Sequence, residues 1–211
     1  MDNISRNFYI ADTHFGHENI IGFDHRPFSD ANEMERVIVQ NWNNVVSKKD
    51  VVYIIGDFCW KKEDEWLRLL DLLNGEKVLI AGNHDLKNPS SRLKRKFRKI
   101  TEYQEITDNG KKIIMSHYPI LFYKSSYNKD VWHFCGHTHN RTREEEKRQK
   151  FVETLISDCS QPGDNRGQIV NVGCMMDYMD YTPKTAQQLF DWWENKYKNI
   201  IPIKVSPDTF S

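Results

Sequence analysis

Short apolar runs that each end in Asp, Asn or His restrict the fold of this chain more than any bulk property does. The runs are residues 8–11, 51–55, 77–81, 112–115, 131–135 and 168–171, rich in β-branched and aromatic side chains. Each reads as a short buried strand. The first runs into Asp12-Thr13-His14, the second into Gly56-Asp57, and the third into Gly82-Asn83-His84-Asp85. The fourth ends at Ser116-His117 and the fifth at Gly136-His137-Thr138-His139. One such ending is an ordinary turn, but a whole ordered set of them is not. In an α/β sheet the loops that leave the carboxyl ends of strands form the ligand crevice, so these groups are expected to converge there. The glycines before them permit sharp turns and close backbone approach.

Helices are expected between the first strands. Ser29 or Asp30 caps one that continues to about Asn44, with Glu33 in its first turn and Met34, Val37, Ile38 and Trp42 at helical spacing. Trp66, Leu69, Leu70 and Leu73 give the next its apolar stripe, ended by Asn74-Gly75. Strand, helix, strand, helix, strand implies a parallel start. Farther on, residues 103–107 and 111–115 flank Asp108-Asn109-Gly110, a tight-hairpin signal, so the second half is expected to contain antiparallel strands. A last helix is expected from about Thr185 to Lys198. The mixed-charge run 141–150 and the Ser, Pro, Gly, Asp and Asn-rich segment 157–167 read as solvated loops.

Composition bounds the function. With 211 residues, a single domain over 1–211 is expected, and 6 Trp and 11 Phe supply a packed core. Thirty Lys+Arg against 30 Asp+Glu exclude a globally basic protein drawn to nucleic acid by its net field. A local basic block remains: Arg92, Lys94, Arg95, Lys96, Arg98 and Lys99 either grip a polyanion or form a solvated helix face. The longest apolar run falls far short of the roughly 20 residues of a membrane span. Residues 1–6 show no cationic start followed by an apolar core, and a cytoplasmic location is expected. Cys59, Cys135, Cys159 and Cys174 form no C-x-x-C pair, which fits reduced thiols.

The ordered set D-x-H, G-D, G-N-H-D, H and G-H-x-H, from Asp12 to His139, resembles the calcineurin-like metallophosphoesterase superfamily. Residues 169–173 resemble the late strand of its small bacterial and phage members. The resemblance implies an α/β fold, a four-layer α/β/β/α sandwich with two mixed β-sheets. It assigns Asp12, His14, Asp57 and His139 to one divalent metal ion and Asp57, Asn83, His117 and His137 to a second. Oxygen and imidazole donors without thiolate suit Mn2+, Fe or Zn2+ better than a closed structural zinc site, and Mn2+ is the first expectation. The implied reaction is hydrolysis of a phosphomonoester or phosphodiester by in-line attack of a hydroxide shared between the metals. His84 is the expected general acid, with Asp85 holding its imidazole in the required tautomer.

His17 and Arg26 lie in the first loop and are candidates to touch the phosphate ester, Arg26 through a bidentate guanidinium; loop packing is the other reading of His17. Tyr118, after His117, either orients that ligand or stacks on a substrate base. Alternative functions are a nuclease or nucleotide phosphodiesterase that uses the basic block, and a catalytically silent scaffold of the same fold. The scaffold is disfavoured because every implied ligand and His84 are present.

Overall fold

The computed structural model describes residues 5–140, 142–159 and 164–200. Strand β1 (Asn7–Ile10) leads through α1 (Glu18–Phe23) and α2 (Ala31–Val45) to β2 (Val51–Ile54), followed by α3 (Glu63–Leu72) and β3 (Glu76–Ile80). Then come α4 (Ser91–Lys94), β4 (Lys99–Thr101), β5 (Tyr103–Asp108), β6 (Lys111–Ser116) and β7 (Val131–Cys135). Helix α5 (Arg143–Asp158), β8 (Ile169–Asn171), β9 (Lys184–Thr185) and α6 (Ala186–Tyr197) complete the order.

Two mixed sheets result. One has the order β4-β3-β2-β1-β9, parallel except for β9; the other has β5-β6-β7-β8, parallel except for β5. The alternation of side chains along a strand decides what each sheet face covers. In β7, Trp132 and Phe134 join the core shared with the first sheet, where Phe134 meets the Tyr9 ring edge-on at 4.9 Å. Val131 and Cys135, on the opposite face, pack with Ile114, Ile169 and Val152 of α5. Met34, Ile38 and Trp42 of α2 and Trp66, Leu69 and Leu70 of α3 join the first sheet's core. The layers are therefore α, β, β, α.

Local chemistry explains the main elements. Asp30 caps α2 by accepting from the N–H groups of Asn32 and Glu33. Thr185 and Gln188 form a reciprocal capping box on α6. Asn109 (φ 48°) and Gly110 (φ 76°) close the two-residue β5–β6 turn, as the hairpin signal requires. No helix among the described residues is long and apolar enough to cross a membrane. All four cysteines are free thiols.

The antiparallel strands expected in the second half are β5 and β6, with β9 antiparallel at the edge of the first sheet, while β6, β7 and β8 run parallel. One expectation needs correction. The charge run at 141–150 is mostly not a loop but the start of α5, capped by Thr142, which accepts from Glu145 N–H. Its inward face is charged: Glu145 and Arg148 are buried and joined by two hydrogen bonds of 2.8 and 2.6 Å. An ion pair in place of apolar residues hides the helical periodicity. Of the other expected loop, residues 160–163 lie outside the described residues.

His133, in β7, is a structural histidine. Its Nδ1 donates to the Ile114 carbonyl (3.1 Å) and its Nε2 accepts from Ile120 N–H (2.9 Å), so the neutral ring satisfies both atoms. Complete burial pushes its pKa from 6.5 down to about 4. Between those values the unfolded chain takes up a proton that the folded chain refuses, so this contribution is present above pH 6.5 and is lost toward pH 4. It amounts to about 3 kcal/mol. In urea titrations at pH 7 and 4.5, His133→Gln is expected to weaken the pH dependence of stability; an unchanged dependence would contradict the assignment.

Candidate metal centre

The loops that follow β1, β2, β3, β6 and β7 meet at one edge of the sandwich, and their backbones are pinned to one another. Asp12 and His14 donate their N–H groups to the carbonyls of Gly56 and Asp57, both at 3.0 Å. Gly136 N–H donates to the His117 carbonyl at 2.9 Å. A Cβ on Gly56 (φ 83°) would lie 2.3 Å from His117 Nδ1, and one on Gly82 would lie 2.4 Å from Asp57 Oδ1. The second and third loops therefore approach closely enough to place Asp57, Asn83 and His117 together. Asp12, His14, Asp57 and His137 adopt φ of 55°, 46°, 53° and 70°. Left-handed conformations of non-glycine residues each cost on the order of 1–3 kcal/mol, and they concentrate where surrounding structure holds a functional side chain in place.

Asp12, His14 and His139 present ligand atoms within 4.8 Å of one another, and so do Asp12, Asp57 and His117. Asp57 Oδ2 lies 3.7 Å from His14 Nε2 and 3.4 Å from His117 Nε2, facing both groups. Asp12 also reaches both, a sharing that the motif-by-motif reading did not include. Asn83 Oδ1 lies 3.0 Å from His117 Nε2 and 3.1 Å from His137 Nδ1.

These donors fit cations. His14 Nε2 is buried with no hydrogen-bond partner, an expensive arrangement unless a positive charge stands before its lone pair. His117 donates from Nδ1 to the Ile55 carbonyl at 3.0 Å, so its neutral form turns the Nε2 lone pair toward the Asn83 oxygen. Two lone pairs facing each other call for a proton or a metal ion between them.

The electrostatics agree with this demand. Burial raises the Asp12 carboxyl to about 6 against the opposing pull of His117 and His139. Burial also lowers His14 to about 2, with the Arg26 charge adding to it. Burial would lower His117 too, but its hydrogen bond to Asp57 and the charges of Asp12 and Asp57 lift it to about 9. Asp57 falls to about 2 because His117 and the His84 N–H outweigh its burial. Carboxylates that lift His117 despite its burial mark a cluster short of positive charge.

His84 is exposed, its ring 4.7 Å from Trp60 and 5.8 Å from His14, and its backbone N–H donates to Asp57 Oδ1 at 2.9 Å. His17 stacks on Trp60 at 4.1 Å, and exposed Tyr118 stands edge-on to His137 at 4.5 Å. Two expected roles are corrected. Arg26 does not overhang the site: its guanidinium is buried, pairing with Asp24 at 2.8 Å and donating to the carbonyls of Asp12 (2.9 Å) and Thr13 (3.2 Å). It braces the first ligand loop from beneath and is out of reach of a phosphate. Asp85 does not hold the His84 imidazole; its buried carboxylate accepts from the N–H groups of Gly82, Asp57 and Phe58 at 2.8–3.0 Å. It clamps the second and third loops together.

Three supports escaped sequence reasoning. Asp24 accepts from His139 Nδ1 at 2.8 Å, which turns Nε2 toward Asp12. Such carboxylate–imidazole pairs orient metal ligands. Thr138, between His137 and His139, donates to buried Glu145 at 2.7 Å, and Asn171 accompanies it. Trp60, which is 46% exposed, walls the mouth. No spacing rule marks any of them.

A four-layer sandwich that carries this carboxylate and imidazole cluster at its strand ends is the arrangement of a metal-binding phosphoesterase. The chain belongs to the calcineurin-like phosphoesterase superfamily, whose domain model matches residues 7–186. An uncharacterized protein from Methanocaldococcus jannaschii is 43% identical over 134 residues, which cover 63% of this chain and 68% of that protein. The Gene 66 protein of Mycobacterium phage L5 is 29% identical over 92 residues, 42% of this chain and 44% of that protein. A protein of unknown function from Aquifex aeolicus, known from a crystal structure, aligns with a TM-score of 0.58 and 25% identity. That alignment covers 90% of this chain and 100% of the other.

Proposed function

We propose that this chain hydrolyses phosphate esters with the aid of two divalent cations, Mn2+ first and Fe or Zn2+ next. The observation that carries the reading is the buried, unpartnered Nε2 of His14 beside Asp57 Oδ2. Asp12, His14 and His139 would hold one cation, and Asn83, His117 and His137 the other, with Asp57 facing both. When bound, the cations supply Lewis acidity to a phosphate oxygen and lower the pKa of water at the site.

The chain's own groups supply the rest. Asp85 fixes the Asp57 backbone, and Asp24 fixes the His139 ring, so the donors are set before substrate arrives. Preset donors lose little reorganisation energy during the reaction. The exposed His84 imidazole stands at the mouth, restricted by Trp60, and gives a proton to the departing ester oxygen. Its test separates leaving groups. His84→Ala is expected to retain the metal content of the native protein and to lose about 10²–10⁴-fold in turnover on alkyl esters. On bis(p-nitrophenyl) phosphate, whose leaving group needs little protonation, the loss is expected to be far smaller. Equal turnover of mutant and native protein on an alkyl ester would remove His84 from the mechanism.

A further inference from the structure

A cleft of about 1420 Å³ shares Asn83, His117 and Tyr118 with the metal centre and extends from there to Phe97 and Lys99. It is larger than the about 300–1,000 Å³ that a drug-sized ligand takes. Its buried lining includes the apolar Leu93 and Phe97 beside Ser116 and His117, while Lys87, Lys94, Arg98 and Lys99 line it as exposed cations. Two carboxylates also line it: exposed Glu102, and Asp85, which is buried and occupied by three backbone N–H groups. Arg98 pairs with Glu76 and Lys99 with Gln104, whereas Lys87 and Lys94 have no partner among the described residues. Tyr103 and Tyr118, 41% and 52% exposed, offer ring faces along the same cleft.

Several exposed cations beside exposed aromatic rings in one cleft match a ligand with repeated phosphates and unpaired bases. Phosphate attracts the lysines and arginine, and base stacking on aromatic side chains needs no sequence code. A protein of zero net charge has no long-range pull on a polyanion, so the attraction is confined to this wall. Only part of the basic block takes part: Lys94, Arg98 and Lys99 line the cleft, whereas Arg92, Arg95 and Lys96 do not. We propose that this cleft binds single-stranded nucleic acid and leads one of its phosphodiesters to the metal centre, a proposal that rests on the phosphoesterase reading above.

The test is fluorescence anisotropy with dT15 and rU15 on the full chain in EDTA, between 50 and 300 mM NaCl. Four phosphate contacts predict a log–log salt slope of about −3, at roughly 0.7 per contact for single strands. Lys87→Gln with Lys94→Gln is expected to flatten the slope by about 1.4 and to leave hydrolysis of bis(p-nitrophenyl) phosphate by the metal-loaded protein unchanged. Tyr103→Ala is expected to weaken binding about tenfold at unchanged slope, since stacking carries no counterion term. Tighter binding of rU15 assigns the cleft to RNA, and tighter binding of dT15 assigns it to DNA. Hydrolysis of the small diester without oligonucleotide binding at 50 mM NaCl overturns the cleft assignment alone. A slope that the double variant leaves unchanged does the same, as does displacement by an equal concentration of polyglutamate. Absence of small-diester hydrolysis by the metal-loaded native protein instead overturns the phosphoesterase reading on which the cleft's role depends.

Discussion

Asp57→Ala is expected to cut turnover at least a thousandfold and to leave the protein with no more than one tightly held cation. Asp57 faces His14 on one side and His117 on the other, at 3.7 and 3.4 Å, and its Oδ1 accepts the His84 N–H at 2.9 Å. Its backbone joins the same meeting point, the carbonyl accepting from His14 N–H and the N–H donating to Asp85. Deleting the carboxylate leaves two imidazoles without their shared counter-charge. A thousandfold loss corresponds to about 4 kcal/mol of transition-state stabilisation, in the range expected if the group serves both proposed ions. Elemental analysis beside initial rates on bis(p-nitrophenyl) phosphate measures both effects. Asp57→Asn serves as the companion, since it keeps the shape and one oxygen while removing the charge. Native metal content in both variants would contradict the proposed role of Asp57 at both cations.

Gly56→Ala is expected to destabilise the metal-free protein by roughly 3–4 kcal/mol, because two independent penalties fall on one methyl group. The backbone φ of 83° disfavours any side chain, and the new Cβ would stand 2.3 Å from His117 Nδ1 and 2.8 Å from the Gly82 Cα. Neither neighbour yields easily: the His117 ring is held by the Ile55 carbonyl, and the other contact is backbone. A melting temperature about 10 °C lower is expected, at about 2–4 °C per kcal/mol for a domain of this size. Gly22→Ala is the control, since nothing lies within 4 Å of a Cβ there. A drop at Gly56→Ala no larger than at the control would mean that the loops have room to separate.

What the sequence makes legible here follows from where the information is local. Asp12, Asp57, Asn83, His117, His137 and His139 each stand within four residues after the end of a strand, so a strand pattern and a polar ending suffice to collect them. The β5–β6 hairpin is equally local, written in Asn109-Gly110. Asp24 is different: it meets His139 across 115 positions, and nothing beside it in the chain announces that contact. Their places in the first loop and beside His84 point Arg26 toward a phosphate and Asp85 toward the His84 imidazole. Each instead turns inward, because carbonyl or N–H groups of the ligand loops need a buried partner and these side chains supply it. Helix α5 escaped for a related reason. Its buried stripe is built on Glu145 and Arg148, which satisfy each other and hold Thr138 between the two histidines, so a hydrophobicity pattern sees only a charged run.

The most direct test of the account is to strip the native protein with EDTA, reload it with Mn2+, and follow metal content and diester hydrolysis together. Two cations per chain, with hydrolysis lost on stripping and restored on reloading, is the result the geometry predicts. One cation or none, with bis(p-nitrophenyl) phosphate left intact after reloading with Mn2+, Fe or Zn2+, would contradict it.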